Sequence, residues 1–332
     1  MRLDSLVRLT EGTLLTSPSV SATQGYALRA GYVERGKAYF ALDRLESSIA
    51  EAVTKGAYAI IVDKETAVTD PEIAWIRVEN IEMAMIRLLR FEIASKHHTF
   101  TALNTLEDAI MRALSLPKSL CLLGDSLART FHLIMDAPEA THFFSPHLAL
   151  LNNIAPQFQT VPPLDSAPVR LDQSTLFHST FLHEGRYFKH LGLSEIFIDT
   201  FVQVITFLEA LGVTFDPFAL KPIDHFEPLF VDKRLKVHPF GTTRQALIVE
   251  SDPLLFEKEI AYIHTHYPHL PLFTCKPANT AFHVKTSEEY TSSKELLTLD
   301  PYAFRYALIL GDKAAIEATL NTQTSITQPS LF

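Results

Sequence analysis

Glycine is scarce in this 332-residue sequence, at 11 residues, about half the usual share. Any phosphate-holding loop must be drawn from those few, because backbone N–H groups come close to a phosphate only where side chains are missing. Cysteine is scarcer still. Cys121 and Cys275 stand far apart in apolar or strand-like contexts, which argues against a disulfide framework and predicts a reducing, cytoplasmic setting. No basic run is longer than Asp232-Lys-Arg-Leu-Lys236, and the formal charge is −9. Counterion-release binding to nucleic acid therefore has little to act on. No stretch approaches the roughly 18 apolar residues of a membrane span, and Met1-Arg-Leu-Asp-Ser5 carries charge where a signal peptide needs an apolar core. The sequence thus predicts neither export nor anchoring. GxSxG, HExxH, CxxC and GxGxxG are all missing, which removes the commonest hydrolase, zinc-protease, redox and dinucleotide signatures.

What is present is a globular composition, with 47% apolar and 20% charged residues, enriched in proline (19) and phenylalanine (23). At this length two or three domains are expected. Over the first hundred residues strand and helix signals alternate. Lys37 to Leu42 reads as a short apolar strand, Leu45 to Lys55 as a helix closed by Gly56, and Ala57 to Val62 as a strand covered on both faces. Trp75 to Val78 repeats the strand signal before a helix from Ile81 to Lys96. Lys96 to Ala102 breaks the pattern, and a helix then starts with Thr105 as expected N-cap and Asp108 as its partner. Such alternation predicts an α/β protein with parallel or mixed sheets.

Further on, Ser119 to Leu123, Gly124 and Ser126 to Met135 read as strand, turn and helix, and Thr141 to Phe144 as another strand. Residues 155 to 172 are proline-rich and loop-like. Thr175 to His183, Glu184-Gly185 and Arg186 to His190 form an expected β-hairpin. Ile196 to Leu211 is the most apolar helix, and Gln245 to Val249 is an apolar strand leading through Asp252-Pro253 into a helix to His266. Leu270 to Thr274, Ala281 to Lys285 and Ala307 to Leu310 supply further strands, and a polar tail follows Leu320.

This order resembles that of the Mur ligases, ATP-dependent enzymes that add amino acids or a dipeptide to UDP-N-acetylmuramic acid precursors of peptidoglycan. The likeness is best over Met1 to about residue 95. It runs from Met1-Arg-Leu-Asp-Ser-Leu-Val-Arg-Leu-Thr-Glu-Gly12 through Val33 to Leu42, Lys55-Gly-Ala57 and Ile60-Ile-Val-Asp63. A weaker likeness returns from Ile196 to Pro253. The resemblance implies a Mur-like N-terminal α/β domain (1–98), a reduced central region (99–225) and a Rossmann-like C-terminal α/β domain (226–332). It also implies a UDP-sugar precursor or a cell-wall synthesis protein as partner.

The chemistry departs from that family. Its aspartate-serine-arginine nucleotide motif is replaced by Arg29-Ala30-Gly31, and the substrate loop between Leu42 and Asp43 is missing. At the position of its phosphate loop stands Gly124-Asp-Ser-Leu-Ala-Arg-Thr130, with one glycine, no lysine and an acidic residue. ATP and Mg²⁺, which the family uses, are therefore not expected as cofactors. Gly124, Ser126 and Arg129 remain candidates for a small-anion site at a helix N-terminus; the alternative is an ordinary N-cap with a surface arginine. Gly31 to Ala38 satisfies GxxxxGK, but ends in alanine and enters a strand, so it reads as a turn.

Asp252, at the C-terminal end of an apolar strand, is the candidate for catalysis, with Arg244 and His283 beside it. In the family it would be the remnant of an amino-acid-binding motif, although Pro253-Leu-Leu-Phe256 replaces the usual tyrosine-alanine-histidine-asparagine. As a plain helix N-cap it needs no function. His264, His266 and His269 lack metal-ligand spacing. His178, His183 and His190 with Glu184 share the expected hairpin, but alternation sets 178 and 183 on opposite faces. No metal site is expected. The reading is a degenerate Mur-ligase-like binding or regulatory module. The alternative is a divergent ligase or transferase centred on Asp252 between the N- and C-terminal domains.

Overall fold

The computed structural model describes residues 1–117, 120–164, 169–280 and 284–322. The chain divides into two compact units, one of residues 1–103 with 118–161, the other of residues 104–117 with 162–332. Both are α/β.

The first unit holds two sheets. Strands Thr13–Leu14, Ala74–Arg77, Ala59–Val62, Ala38–Phe40 and Tyr26–Ala27 lie in that order, and only the first pairing is antiparallel. The apolar run at 59–62 is covered on both faces, as its sequence predicts. Ala59 and Ile61 join one core cluster with Phe40 and Ile76, while Ile60 and Val62 join another with Tyr39 and Trp75. Successive side chains of a strand point oppositely, so an uninterrupted apolar run signals two covered faces. The helix Ile81–Ser95 starts at Asn80, whose Oδ1 accepts from the Met83 N–H at 2.9 Å. Its Ile81, Met85 and Leu88 extend the first cluster to Phe100 and Phe143 of the second sheet. That sheet is all parallel, ordered Leu120–Leu122, His142–Ser145, Thr99–Ala102 and Gln159–Thr160. Thr99–Ala102, where the sequence pattern breaks, is thus a strand paired on both sides.

The second unit opens with the helix Thr105–Ala113. Its N-cap is Asn104, not the expected Thr105. The Asn104 side chain accepts from the Glu107 N–H and the Glu107 carboxylate accepts from the Asn104 N–H, both at 2.8 Å. This reciprocal box satisfies two otherwise orphaned donors, which one hydroxyl at 105 does not do. A three-stranded antiparallel sheet follows, Arg170–Ser174, Ser179–His183 and Arg186–Leu191. Its last two strands form the expected hairpin, with positive φ at Glu184 (47°) and Gly185 (77°). Arg170–Ser174, which begins inside the stretch 155 to 172 read as loop, is a strand.

The larger sheet orders Val237–His238, Glu227–Val231, Gln245–Glu250, Tyr306–Leu310, Leu272–Pro277 and Glu288–Tyr290. The first two pairings are antiparallel and the others parallel. Helices Ile198–Ala210, Pro253–His266 and Lys313–Thr322 complete the unit. The strand expected at Ala281 to Lys285 falls partly outside the described residues, as does the tail beyond 322. Among the described residues no helix is long and apolar enough to cross a membrane.

Candidate functional site

In the first unit the strand Ala38–Phe40 runs out into Leu42 and Asp43, and the helix Glu46–Thr54 follows. Asp43 fastens this corner: its carboxylate accepts from Ser48 Oγ at 2.6 Å and from the Leu45 N–H at 3.2 Å. The Tyr39 hydroxyl donates to it at 3.4 Å, and burial followed by the Asp43 charge pushes that phenol up to about 12. The short 3₁₀ turn Ala30–Tyr32 stands opposite, tied to the same helix by Lys55 Nζ, which donates to the Gly31 carbonyl at 2.8 Å and pairs with Glu51. Ser126 Oγ caps the helix Leu127–Met135 by accepting from the Arg129 N–H at 3.4 Å.

These pieces enclose a cleft of about 930 Å³, whose walls include Arg29, Gly31, Asp43, Ser126, Arg129 and His132. The structure therefore brings Arg29-Ala30-Gly31 and the start of the Ser126 helix, far apart in sequence, to one site. Glu51 pairs with Lys55, whereas the Asp43 carboxylate is held by neutral donors and keeps its charge. The guanidinium groups of Arg29 and Arg129 are exposed and have no ion-pair or hydrogen-bond partner among the described residues. Two unpaired cations thus stand against one carboxylate, which suits an anion. Gly124 does not line it. A Cβ on Gly124 meets nothing within 4 Å, and its φ lies outside the left-handed range, so neither close approach nor conformation demands a glycine there.

The second unit holds the other candidates. Asp252 is the N-cap of Pro253–His266, and its Oδ1 accepts from the Leu254 and Leu255 N–H groups at 2.8 and 3.4 Å. Its Oδ2 accepts from Thr105 Oγ1 at 2.6 Å. Burial raises its pKa, but these hydrogen bonds and the charge of His225 outweigh burial and hold the carboxyl below its ordinary value. Arg244 precedes Gln245–Glu250 and Asp252 follows it, so about 17 Å of strand separates them. The structure does not bring the two together, and His283 lies outside the described residues.

Beside Asp252 lies a buried polar group that the sequence reading missed. Glu250 and Glu259 are both fully buried, and His225 nearly so. His225 Nδ1 donates to Glu250 Oε1 at 2.8 Å, and the Phe226 and Asp252 N–H groups donate to the same carboxylate. Burial lowers the pKa of His225, yet its bond to Glu250 and that carboxylate's charge leave it raised overall. Burial, reinforced by the charge of Glu250, pushes the Glu259 carboxyl well above its ordinary value. A signal for Glu259 exists in the sequence: it is spaced i+4 and i+3 from Leu255 and Phe256 and precedes Tyr262 by three. A lone carboxylate in an apolar stripe marks a buried charge. His225 stands in a loop and leaves no such pattern.

Of the hairpin histidines, His178 and His190 stack with centroids 4.4 Å apart, while His183 is buried. Burial, then the neighbouring His190, lowers the pKa of His178. His266 Nδ1 lies 3.1 Å from the Tyr262 carbonyl of its own helix. Among the described residues no three His, Cys, Asp or Glu are grouped to hold a metal ion.

No protein-family model matches the sequence, and no curated protein matches it. Solved structures do. UDP-N-acetylmuramoylalanyl-D-glutamyl-2,6-diaminopimelate–D-alanyl-D-alanyl ligase from Acinetobacter baumannii is 13% identical, with a TM-score of 0.53 over 98% of this chain and 98% of that one. A structure of MurF from the same organism is 12% identical, with a TM-score of 0.57 over 97% and 98%. A MurF ligase from Thermotoga maritima, solved in complex with ADP, is 12% identical, with a TM-score of 0.53 over 91% and 99%. At such identity the likeness is one of fold. The alternating strands and helices of this chain, with a mixed and a parallel sheet in one unit and an antiparallel and a mixed sheet in the other, thus form a Mur-ligase-like fold.

Proposed function

We propose that the chain is a Mur-ligase-like binding module without ATP-dependent ligase activity, acting in peptidoglycan precursor metabolism. Its ligand is an anionic precursor of the UDP-sugar class, held in the cleft of the first unit. The observation that carries this reading is the pair of unengaged guanidiniums, Arg29 and Arg129, on one 930 Å³ cleft beside the Ser126-capped helix. A diphosphate is a bidentate match for guanidinium groups, and a helix N-terminus adds N–H groups and a favourable dipole.

Mg-ATP does not fit the residues around Gly124. A triphosphate needs several backbone N–H groups, a lysine for its outer phosphates and a hydroxyl for Mg²⁺. Here Asp125 is exposed where those charges would lie, Ser126 Oγ is committed to its cap, and no lysine follows. The structural neighbours include a UDP-N-acetylmuramoylalanyl-D-glutamyl-2,6-diaminopimelate–D-alanyl-D-alanyl ligase, and this proposal keeps the precursor while dropping the nucleotide-driven step.

Thermal-shift measurements with Mg-ATP, UDP and UDP-N-acetylmuramic acid, each at millimolar concentration, test it. A ligand that binds only the folded state raises the melting temperature by mass action. Stabilisation by UDP-N-acetylmuramic acid, lost in Arg29→Ala and Arg129→Ala, is the expected result. A saturable shift with Mg-ATP overturns the absence of a nucleotide site, and silence with both uridine compounds overturns the ligand class.

A further inference from the structure

A second cavity lies wholly within the other unit, beside the hairpin and the larger sheet. Its volume is about 340 Å³, within the range of small-molecule sites. Phe177, Phe197, Phe226, Phe240, Leu193 and Ile223 line it. The Phe177 ring stands 5.9 Å from those of both Phe226 and Phe240, and Phe226 stands 6.1 Å from Phe197. Phe240 is 57% exposed.

Apolar side chains ordinarily close on such a space, because an unfilled void forfeits dispersion contacts. Here the backbone holds one wall back. Phe226 has φ of 52°, a region where a bulky residue is an outlier and persists only if its surroundings enforce it. Buried Glu250 does so: one oxygen accepts the Phe226 N–H at 3.2 Å, and the other accepts His225 Nδ1.

The charged groups at the cavity are already matched. Glu227 pairs with Lys313, and His225 with Glu250. An ionic ligand would bury its charge without a free counter-charge, which is costly. Ser194 also lines the cavity, but it is buried and its hydroxyl lies against the Tyr262 phenol. Ring faces and edges at these spacings favour another planar ring over a puckered one.

We propose that this cavity binds a neutral, planar aromatic small molecule of the size of a phenol or an indole. The site is independent of the UDP-sugar cleft, since every residue forming it belongs to the second unit.

Calorimetric titration of the full-length chain with indole and phenol, and with cyclohexanol as a puckered control, tests it. Gly192 lines the same cavity, and a Cβ there meets nothing within 4 Å at a φ outside the left-handed range. Gly192→Leu therefore fills the space without backbone strain. Saturable binding of indole and phenol, at least tenfold weaker in Gly192→Leu, is expected. Circular dichroism establishes that the variant folds. If Gly192→Leu fails to fold, the wild-type titrations against cyclohexanol decide. The proposal is overturned by no saturable binding at millimolar ligand, by cyclohexanol binding as tightly as phenol, or by unchanged affinity in a folded Gly192→Leu.

Discussion

Replacing Asp252 by alanine distinguishes a structural carboxylate from a catalytic one. Oδ1 satisfies the N–H groups of Leu254 and Leu255, and Oδ2 takes the Thr105 hydroxyl across 147 positions of sequence. Losing an N-cap costs about 0.5–2 kcal/mol. The bond to Thr105 adds only a fraction, because Thr105 is exposed and water replaces its partner. A total of about 1–2 kcal/mol follows, which for a body of this size lowers the unfolding temperature by about 3–6 °C. Asp252→Asn keeps an acceptor at the cap and should cost less than half as much. Differential scanning calorimetry of the three proteins gives these shifts directly, and titration with UDP-N-acetylmuramic acid should give one affinity for all three. The cap account fails if Asp252→Ala melts within 1 °C of the parent. It fails equally if a folded Asp252→Asn loses precursor binding or any turnover found.

Three further outcomes follow from the same geometry. Glu259 holds a proton in the folded state that an unfolded glutamate releases near pH 4.3, so its stabilising contribution is complete below that pH and is lost as pH rises through its elevated folded value. His225, also raised, acts with the same sign above about pH 6.5; urea melts should thus show stability falling from pH 6 to 8.5, and falling less steeply in Glu259→Gln. Arg129→Glu places a second carboxylate near Asp125 and should weaken UDP-N-acetylmuramic acid binding at least tenfold by calorimetry, with the melting temperature of the free protein within about 2 °C of the parent. Gly185→Val puts a β-branched residue at φ of 77° in the hairpin turn and should destabilise the second unit by about 1–3 kcal/mol, read by chemical denaturation.

The parts of the fold that were legible are those whose burial is written in side-chain type alone. Ala59–Val62 is covered on both faces and is apolar at every position, and Glu184-Gly185 carries the residues its turn conformation tolerates. Thr99–Ala102 is as deeply placed, with 100 to 102 buried, yet half of it is threonine and two histidines precede it. Its polarity is answered only by residues distant in the chain: Thr101 Oγ1 lies 2.7 Å from His142 Nε2 and accepts from Gln159 at 3.2 Å. A strand whose polar groups are satisfied by tertiary partners reads locally as a loop. The Asn104 cap was missed by one residue because Thr105 with Asp108 and Asn104 with Glu107 have the same spacing, and only the backbone decides which side chain faces the open N–H groups.

The cleft follows the same logic at longer range. Arg29 and Arg129 gave no joint signal, since each is an ordinary surface arginine until a parallel sheet and the Ser126 cap set them on one hollow. The departure of Gly124 to Thr130 from a phosphate-loop pattern, by contrast, is readable outright, because that pattern depends on glycine and lysine at fixed offsets. Local chemistry with strict spacing survives in sequence; chemistry assembled across sheets does not. That is why the departure is visible in the sequence while the meeting of Arg29 and Arg129 on one cleft is not. It is also why the buried polar group of Glu250, Glu259 and His225 escaped notice: only Glu259 interrupts an apolar stripe, and its neighbours come from a strand end and a loop.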